Sequence, residues 1–112
     1  MVSSIEYDLI IVGSGLAGLR AAIEAAKKNS KIRIGVVAKT QVLRSHSVSA
    51  EGGTAAALYS EEGDSIESLI YVTVKGSDFL ADQDVGERLC NEMPNEIYQL
   101  EHWGMPWSRR ED

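Results

Sequence analysis

Two stretches of the chain combine residue types and spacings that can do chemistry. In Gly13-Ser14-Gly15-Leu16-Ala17-Gly18, glycine recurs at the first, third and sixth positions. The first glycine of such a pattern allows a tight turn, the second lets the backbone approach a pyrophosphate, and the third lets a helix pack closely on a strand. A pyrophosphate there would lie on the helix N-terminus, held by free N–H groups and the positive end of the helix dipole. The second stretch runs from Arg44 to Leu58 and reads RSHSVSAEGGTAAAL, with one of the two histidines of the chain between serines and a double glycine after it. Small residues of this kind let a backbone pass close to a large flat ligand. A lone histidine in a loop is more often a hydrogen-bonding or surface residue than a ligand site, so the setting of His46 has to decide its role.

The elements around these stretches follow from pattern. Asp8 to Val12 is a short apolar run ended by glycine, which predicts a buried parallel strand. A helix follows, with Leu16, Leu19, Ile23 and Ala26 as its apolar stripe and a basic last turn and stop in Lys27-Lys28-Asn29-Ser30. Arg33 to Ala38 predicts a second strand, which completes a right-handed βαβ unit. The glycine pattern therefore stands between a strand and a helix, the context that gives it weight. A loop is predicted over Gln41 to Gly53, while Thr54 to Gly63 is undecided between a short helix and irregular backbone. Asp64 with Glu67 resembles a capping box for a helix whose stripe is Ile66, Leu69, Ile70, Thr73 and Val74 and whose stop is Gly76. A third helix should start near Asp82 with Val85, Leu89, Met93, Ile97 and Leu100 inward, and Pro94 should kink it or begin a new one.

One feature departs from the dinucleotide fingerprint. About 20 residues beyond the glycines an acidic residue normally receives the ribose hydroxyls, yet the second strand ends in Ala38-Lys39-Thr40. Lys39 donates where a carboxylate would accept. A ribose hydroxyl, a phosphate, the 2′-phosphate of NADP and plain solvation all remain open for it on the residues alone.

Composition excludes several classes. A 112-residue chain that is 44% hydrophobic and 25% charged fits at most one small globular domain and argues against disorder. Its apolar runs are far shorter than the roughly 20 residues of a membrane span, and the N-terminus lacks the pattern of a secretory signal. A single cysteine, Cys90, suits a reducing compartment and a buried helix position, and the expected location is cytoplasmic. The net charge of −6 argues against nucleic acid. Residues 1–60 nevertheless hold seven Lys/Arg against four Asp/Glu, a net of +3, and residues 61–112 hold four against thirteen, a net of −9. An anionic ligand is expected in the first half. His102, Trp103 and Trp107 read as packing or subunit-contact residues, Arg109 and Arg110 as partner-contacting or solvated, and Glu61 to Glu67 as a solvated helix start. No metal cluster is expected.

Taken together, the Gly13–Gly18 fingerprint and the segment Arg44-Ser45-His46-Ser47 with Ala50-Glu51-Gly52-Gly53 strongly resemble the flavoprotein subunit of succinate dehydrogenase and fumarate reductase. The likeness runs to Trp103-Gly104-Met105-Pro106-Trp107-Ser108-Arg109-Arg110, so it spans the chain; Ser47 stands where Thr is usual and Glu111 where Pro is expected. The resemblance implies FAD joined covalently through His46 to its 8α-methyl carbon. Ser45, Ser47, Glu51, Gly52 and Gly53 would surround the flavin, while Ala38, Lys39 and Thr40 would reach its adenosine half. That family also carries Lys at this strand end, which favours FAD over NADP.

The implied fold is α/β, the N-terminal part of a Rossmann-like FAD-binding domain: a βαβ unit and following helices, with an incomplete sheet and no second domain in residues 1–112. Two parallel strands do not make a self-sufficient sheet, which points to the front of a longer protein. The implied activity is hydride transfer between succinate or fumarate and FAD, with electrons passed to an iron-sulfur subunit. Membrane-anchor subunits would hold the protein peripherally on the inner face of the cell membrane. No catalytic residue is assigned, because the dicarboxylate site of the family lies beyond position 112, and the short chain alone is expected to be inactive. The alternatives are a relative that binds FAD without a covalent bond, such as L-aspartate oxidase, which lacks this histidine, and an inactive truncated remnant.

Overall fold

In a computed structural model of the chain, residues 4–59 and 63–108 are described. They fall into two compact units, one up to Gly52 and one from Gly53 onward. The expected features at Glu61, Glu62 and Arg109 to Glu111 lie outside the described residues.

The first unit is built on two parallel strands, β1 (Leu9–Val12) and β2 (Ile34–Val37), with helix α1 (Leu16–Lys28) between them in sequence. Their register pairs Leu9 with Ile34 and Val12 with Val37. A clamp just before the strands sets it. Asp8 N–H donates to the Arg33 carbonyl at 2.9 Å, and Arg33 N–H donates to Asp8 Oδ2 at 2.8 Å. The Arg33 guanidinium adds an exposed ion pair, Nη2 to Asp8 Oδ1 at 3.3 Å. At the other end of the pair, Gly13 N–H donates to the Val37 carbonyl at 2.8 Å, so the ladder continues into the glycine turn.

β1 is not a fully buried strand. Leu9 and Ile11 are half-buried, but Ile10 is 48% and Val12 86% exposed. A parallel strand needs cover on both faces, and one helix covers one face. The α1 stripe is also turned from the predicted one. Leu16 (64% exposed), Ile23 and Ala26 face outward, and the half-buried side runs through Gly18, Leu19, Ala22 and Ala25. Small residues on that side let the helix axis come close to the strands. Lys27 and Lys28 form the basic last turn, and Asn29 ends the helix with its N–H on the Ala25 carbonyl.

The segment predicted as a loop is more ordered than that. A 3-10 turn over Val42–Arg44 leads into one helical turn, α2 (His46–Ser49), closed by Val48 N–H on the Ser45 carbonyl at 3.1 Å.

The second unit pairs α3 (Ile66–Gly76) with α4 (Gln83–His102) after an irregular stretch. The cap of α3 is Ser65, whose hydroxyl accepts from Ser68 N–H at 3.0 Å. The predicted capping residue, Asp64, instead accepts from Leu58 N–H at 3.2 Å, so its carboxylate is used by the preceding backbone. The α3 stripe is the predicted one, with Val74 buried and Ile66, Leu69, Ile70 and Thr73 half-buried. α4 starts where expected, and Asp82 caps it, Oδ1 accepting from Val85 N–H at 3.2 Å. Its covered face is Cys90, Met93, Ile97 and Leu100, whereas Val85 and Leu89 are exposed, because the shorter α3 covers only part of a 20-residue helix. Pro94 neither ends α4 nor starts a new helix, and the element runs through it as one span. Cys90 is buried as expected, with its Sγ 3.8 Å from Thr73 Oγ1. Trp107 returns to α4 and donates its indole N–H to the Ile97 carbonyl at 3.3 Å.

The hydrogen bonds from the Arg33 backbone and side chain hold the Asp8 carboxyl below its ordinary value of 3.8, and the nearby guanidinium charge adds to the effect. A group whose folded pKa is depressed contributes stability above its unfolded pKa and loses it as pH falls through the folded one. Asp8→Asn should therefore lower the thermal midpoint at neutral pH, and its deficit should close as pH drops below 3.8. Melting curves of both proteins across that range check this; a deficit independent of pH would contradict it.

Candidate functional site

The glycine turn is where sequence and backbone geometry constrain each other most tightly. Gly13 has φ +115°, a conformation that L side chains rarely adopt, and a Cβ built on it would meet nothing within 4 Å. That side of the turn is open to a ligand. Gly18 is closed for the opposite reason. A Cβ there would collide with the Gly13 carbonyl oxygen and lie 3.4 Å from Ile11 Cγ2, so the first turn of α1 rests directly on the end of β1. Ser14 between them is buried.

α1 begins after Gly15, which is in extended conformation and offers no side-chain cap. The first N–H groups of a helix have no partner within it. Leu19 N–H reaches the Gly15 carbonyl at 3.0 Å, which leaves Leu16, Ala17 and Gly18 as the donors of the first turn. No acidic side chain stands in that turn to compete with an anion. Leu16 N–H is already used, donating to Ser47 Oγ at 3.0 Å across 31 residues of chain. A Cβ on Gly15 would sit 3.3 Å from the same oxygen.

Ala38, Lys39 and Thr40 follow β2 directly and are exposed. The Val12–Val37 pairing sets them at the same strand ends as the glycine turn. Ser45 is half-buried; His46 opens α2 with its side chain exposed, followed by Ser47. The structure thus brings Gly13–Gly18 and Ser47 into contact within the first unit, with His46 one residue away. Glu51 and Gly52 end that unit, exposed, and no atom lies within 4 Å of a Cβ on Gly52. Gly53 falls in the second unit, where with Thr54 and Ala55 it lines an apolar hollow beside Leu69, Cys90 and Met93. Sequence reasoning missed the bond between Ser47 and Leu16; its trace in the sequence is a hydroxyl residue next to the histidine. Among the described residues no cluster of His, Cys, Asp or Glu could hold a metal ion.

The FAD binding domain family matches residues 8–112. The chain belongs to that family. It is 46% identical over 107 residues to the fumarate reductase flavoprotein subunit of Mycobacterium tuberculosis, covering 96% of this chain and 18% of the relative. It is 48% identical over 107 residues to the succinate dehydrogenase flavoprotein subunit of Coxiella burnetii, with the same coverage. A solved chain of Escherichia coli quinol fumarate reductase superposes with TM-score 0.86 at 48% identity, over 96% of this chain and 18% of that one. The chain thus spans about a fifth of the length of these relatives. The incomplete two-stranded sheet is the part of the FAD-binding domain that this span holds.

The residues of the FAD-binding domain fit the cofactor. The open face of Gly13, the extended Gly15 and a first helical turn free of acidic side chains can accept a pyrophosphate. Gly18→Ala should be destabilising by about 1–3 kcal/mol, the usual range for overpacking against an unyielding neighbour. It should also reduce flavin bound per chain in the protein that carries this domain. Thermal melting and the flavin-to-protein absorbance ratio check both; a Gly18→Ala protein that melts and binds flavin normally would show that the turn can yield.

Proposed function

We propose that this chain is the dinucleotide-cradling front of the FAD-bearing subunit of a succinate dehydrogenase or fumarate reductase, with residues 1–112 forming part of a single FAD-binding domain. The observation that carries the reading is the hydrogen bond from Leu16 N–H to Ser47 Oγ, which ties the turn that begins at His46 to the N-terminus of α1. Similarity of 46–48% to flavoprotein subunits of both enzymes supports it. Bound FAD supplies the hydride chemistry, exchanging a hydride with the central carbon pair of a C4 dicarboxylate. The chain's own residues bind and orient. Gly13, Ser14, Gly15, Leu16, Ala17 and Gly18 receive the pyrophosphate, Ala38, Lys39 and Thr40 the adenosine half, and Ser45, His46, Ser47, Glu51, Gly52 and Gly53 the flavin end.

His46 is the covalent attachment point in this reading. The imidazole nitrogen of His46 would hold the flavin through its 8α-methyl carbon, and the flavin so held would supply the hydride chemistry. The proposed partners are an iron-sulfur subunit that takes the electrons and membrane-anchor subunits that hold the complex on the inner face of the cell membrane. The described residues include no helix long and apolar enough to cross a membrane, which suits a peripheral position reached through such partners. The presence of His46 disfavours the non-covalent L-aspartate oxidase type, which lacks this histidine.

In the full-length protein, His46→Ser should abolish the acid-stable flavin fluorescence that the parent protein shows on a denaturing gel. Flavin that still resists acid denaturation in this variant would overturn the attachment.

A further inference from the structure

α2 is four residues long, far below the length at which a helix holds itself in water. Its own bonds are local: Val48 and Ser49 N–H both return to the Ser45 carbonyl, and Ser49 Oγ donates to the same oxygen. Ser45 N–H on the Val42 carbonyl at 3.2 Å joins this turn to the 3-10 turn just before it, and the turn is tied to α1 by the hydrogen bond from Leu16 N–H to Ser47 Oγ. Its other end is the first turn of α1, next to the glycines that cradle the pyrophosphate. Gly15 contributes room, since a Cβ there would press on the Ser47 oxygen at 3.3 Å.

We propose that Ser47 is a positioning residue for flavin attachment: by accepting the Leu16 N–H, its hydroxyl locks the His46 turn to the dinucleotide-binding end of α1 and holds the imidazole at a fixed place relative to the bound cofactor. The proposal rests on His46 being the attachment site. Ser47 takes no part in bond making. It shortens the search of an exposed imidazole on a turn too short to hold itself, an orientation effect. A hydroxyl is required and a β-methyl is tolerated at the exposed site, so threonine should serve as well as serine.

The test uses full-length apoprotein prepared from flavin-starved cells and given FAD in air, with dioxygen as the electron acceptor. Acid-stable flavin is followed over time and counted per flavin bound. Ser47→Ala should attach flavin about five-fold more slowly than the parent, the effect of losing one neutral hydrogen bond worth about 1 kcal/mol. Ser47→Thr should restore the parental rate. A parental rate in Ser47→Ala would overturn the proposal, as would a Ser47→Thr protein as slow as Ser47→Ala. A Ser47→Ala protein that binds no flavin would also overturn it, by showing that the hydroxyl holds the dinucleotide rather than the histidine. Absence of acid-stable flavin in the parent protein would be a failure of the His46 reading itself, and the positioning role would fall with it.

Discussion

The register of the parallel pair β1–β2 is the constraint on which the first unit depends. Asp8 and Arg33 exchange backbone and side-chain hydrogen bonds at one end, and Gly13 N–H closes on the Val37 carbonyl at the other. A slip of one residue would send every strand side chain to the opposite face. It would also shift Ala38–Thr40 away from the glycine turn at that end of the strands. Gly18 then fixes the helix on that edge, because only a residue without a Cβ lets the first turn rest on the Gly13 carbonyl. The chain after β2 returns to the same place through Ser47 and Leu16.

The local signals of the sequence were the ones that carried over. A glycine after an apolar run, a basic last turn and an Asp before Val85 each act within a few residues, and β1, α1, β2, α3 and α4 begin and end close to where those signals stand. Side-chain burial was read less well. Periodicity shows that α4 has an apolar stripe, but burial of Val85 and Leu89 depends on how far α3 reaches along it. The outward Leu16 and Ile23, like the bare Val12, reflect a sheet with cover on one face. Asp64 against Ser65 was a choice between neighbouring polar residues that both suit a helix start, and the backbone of Leu58 decided it.

The site divides along the same line. The glycine fingerprint was legible because each of its positions has a stereochemical reason confined to one turn. The ordering of His46 was not, because it comes from a bond spanning 31 residues and from a helical turn too short to show periodicity. The charge pattern adds a consistent background. The basic excess lies in residues 1–60, the half of the sequence that holds the glycine turn, and the acidic excess lies in the other half.

The central claim is that His46 carries the flavin, and peptide mapping of the full-length flavoprotein tests it most directly. No lysine or arginine lies between Arg44 and Lys75, and His46 is the one histidine in that interval. Tryptic digestion should therefore yield a peptide from Ser45 to Lys75 that carries the mass of the flavin, with fragmentation placing that mass on His46. Recovery of the same peptide unmodified from flavin-loaded protein, or with the added mass on another residue, would contradict the account.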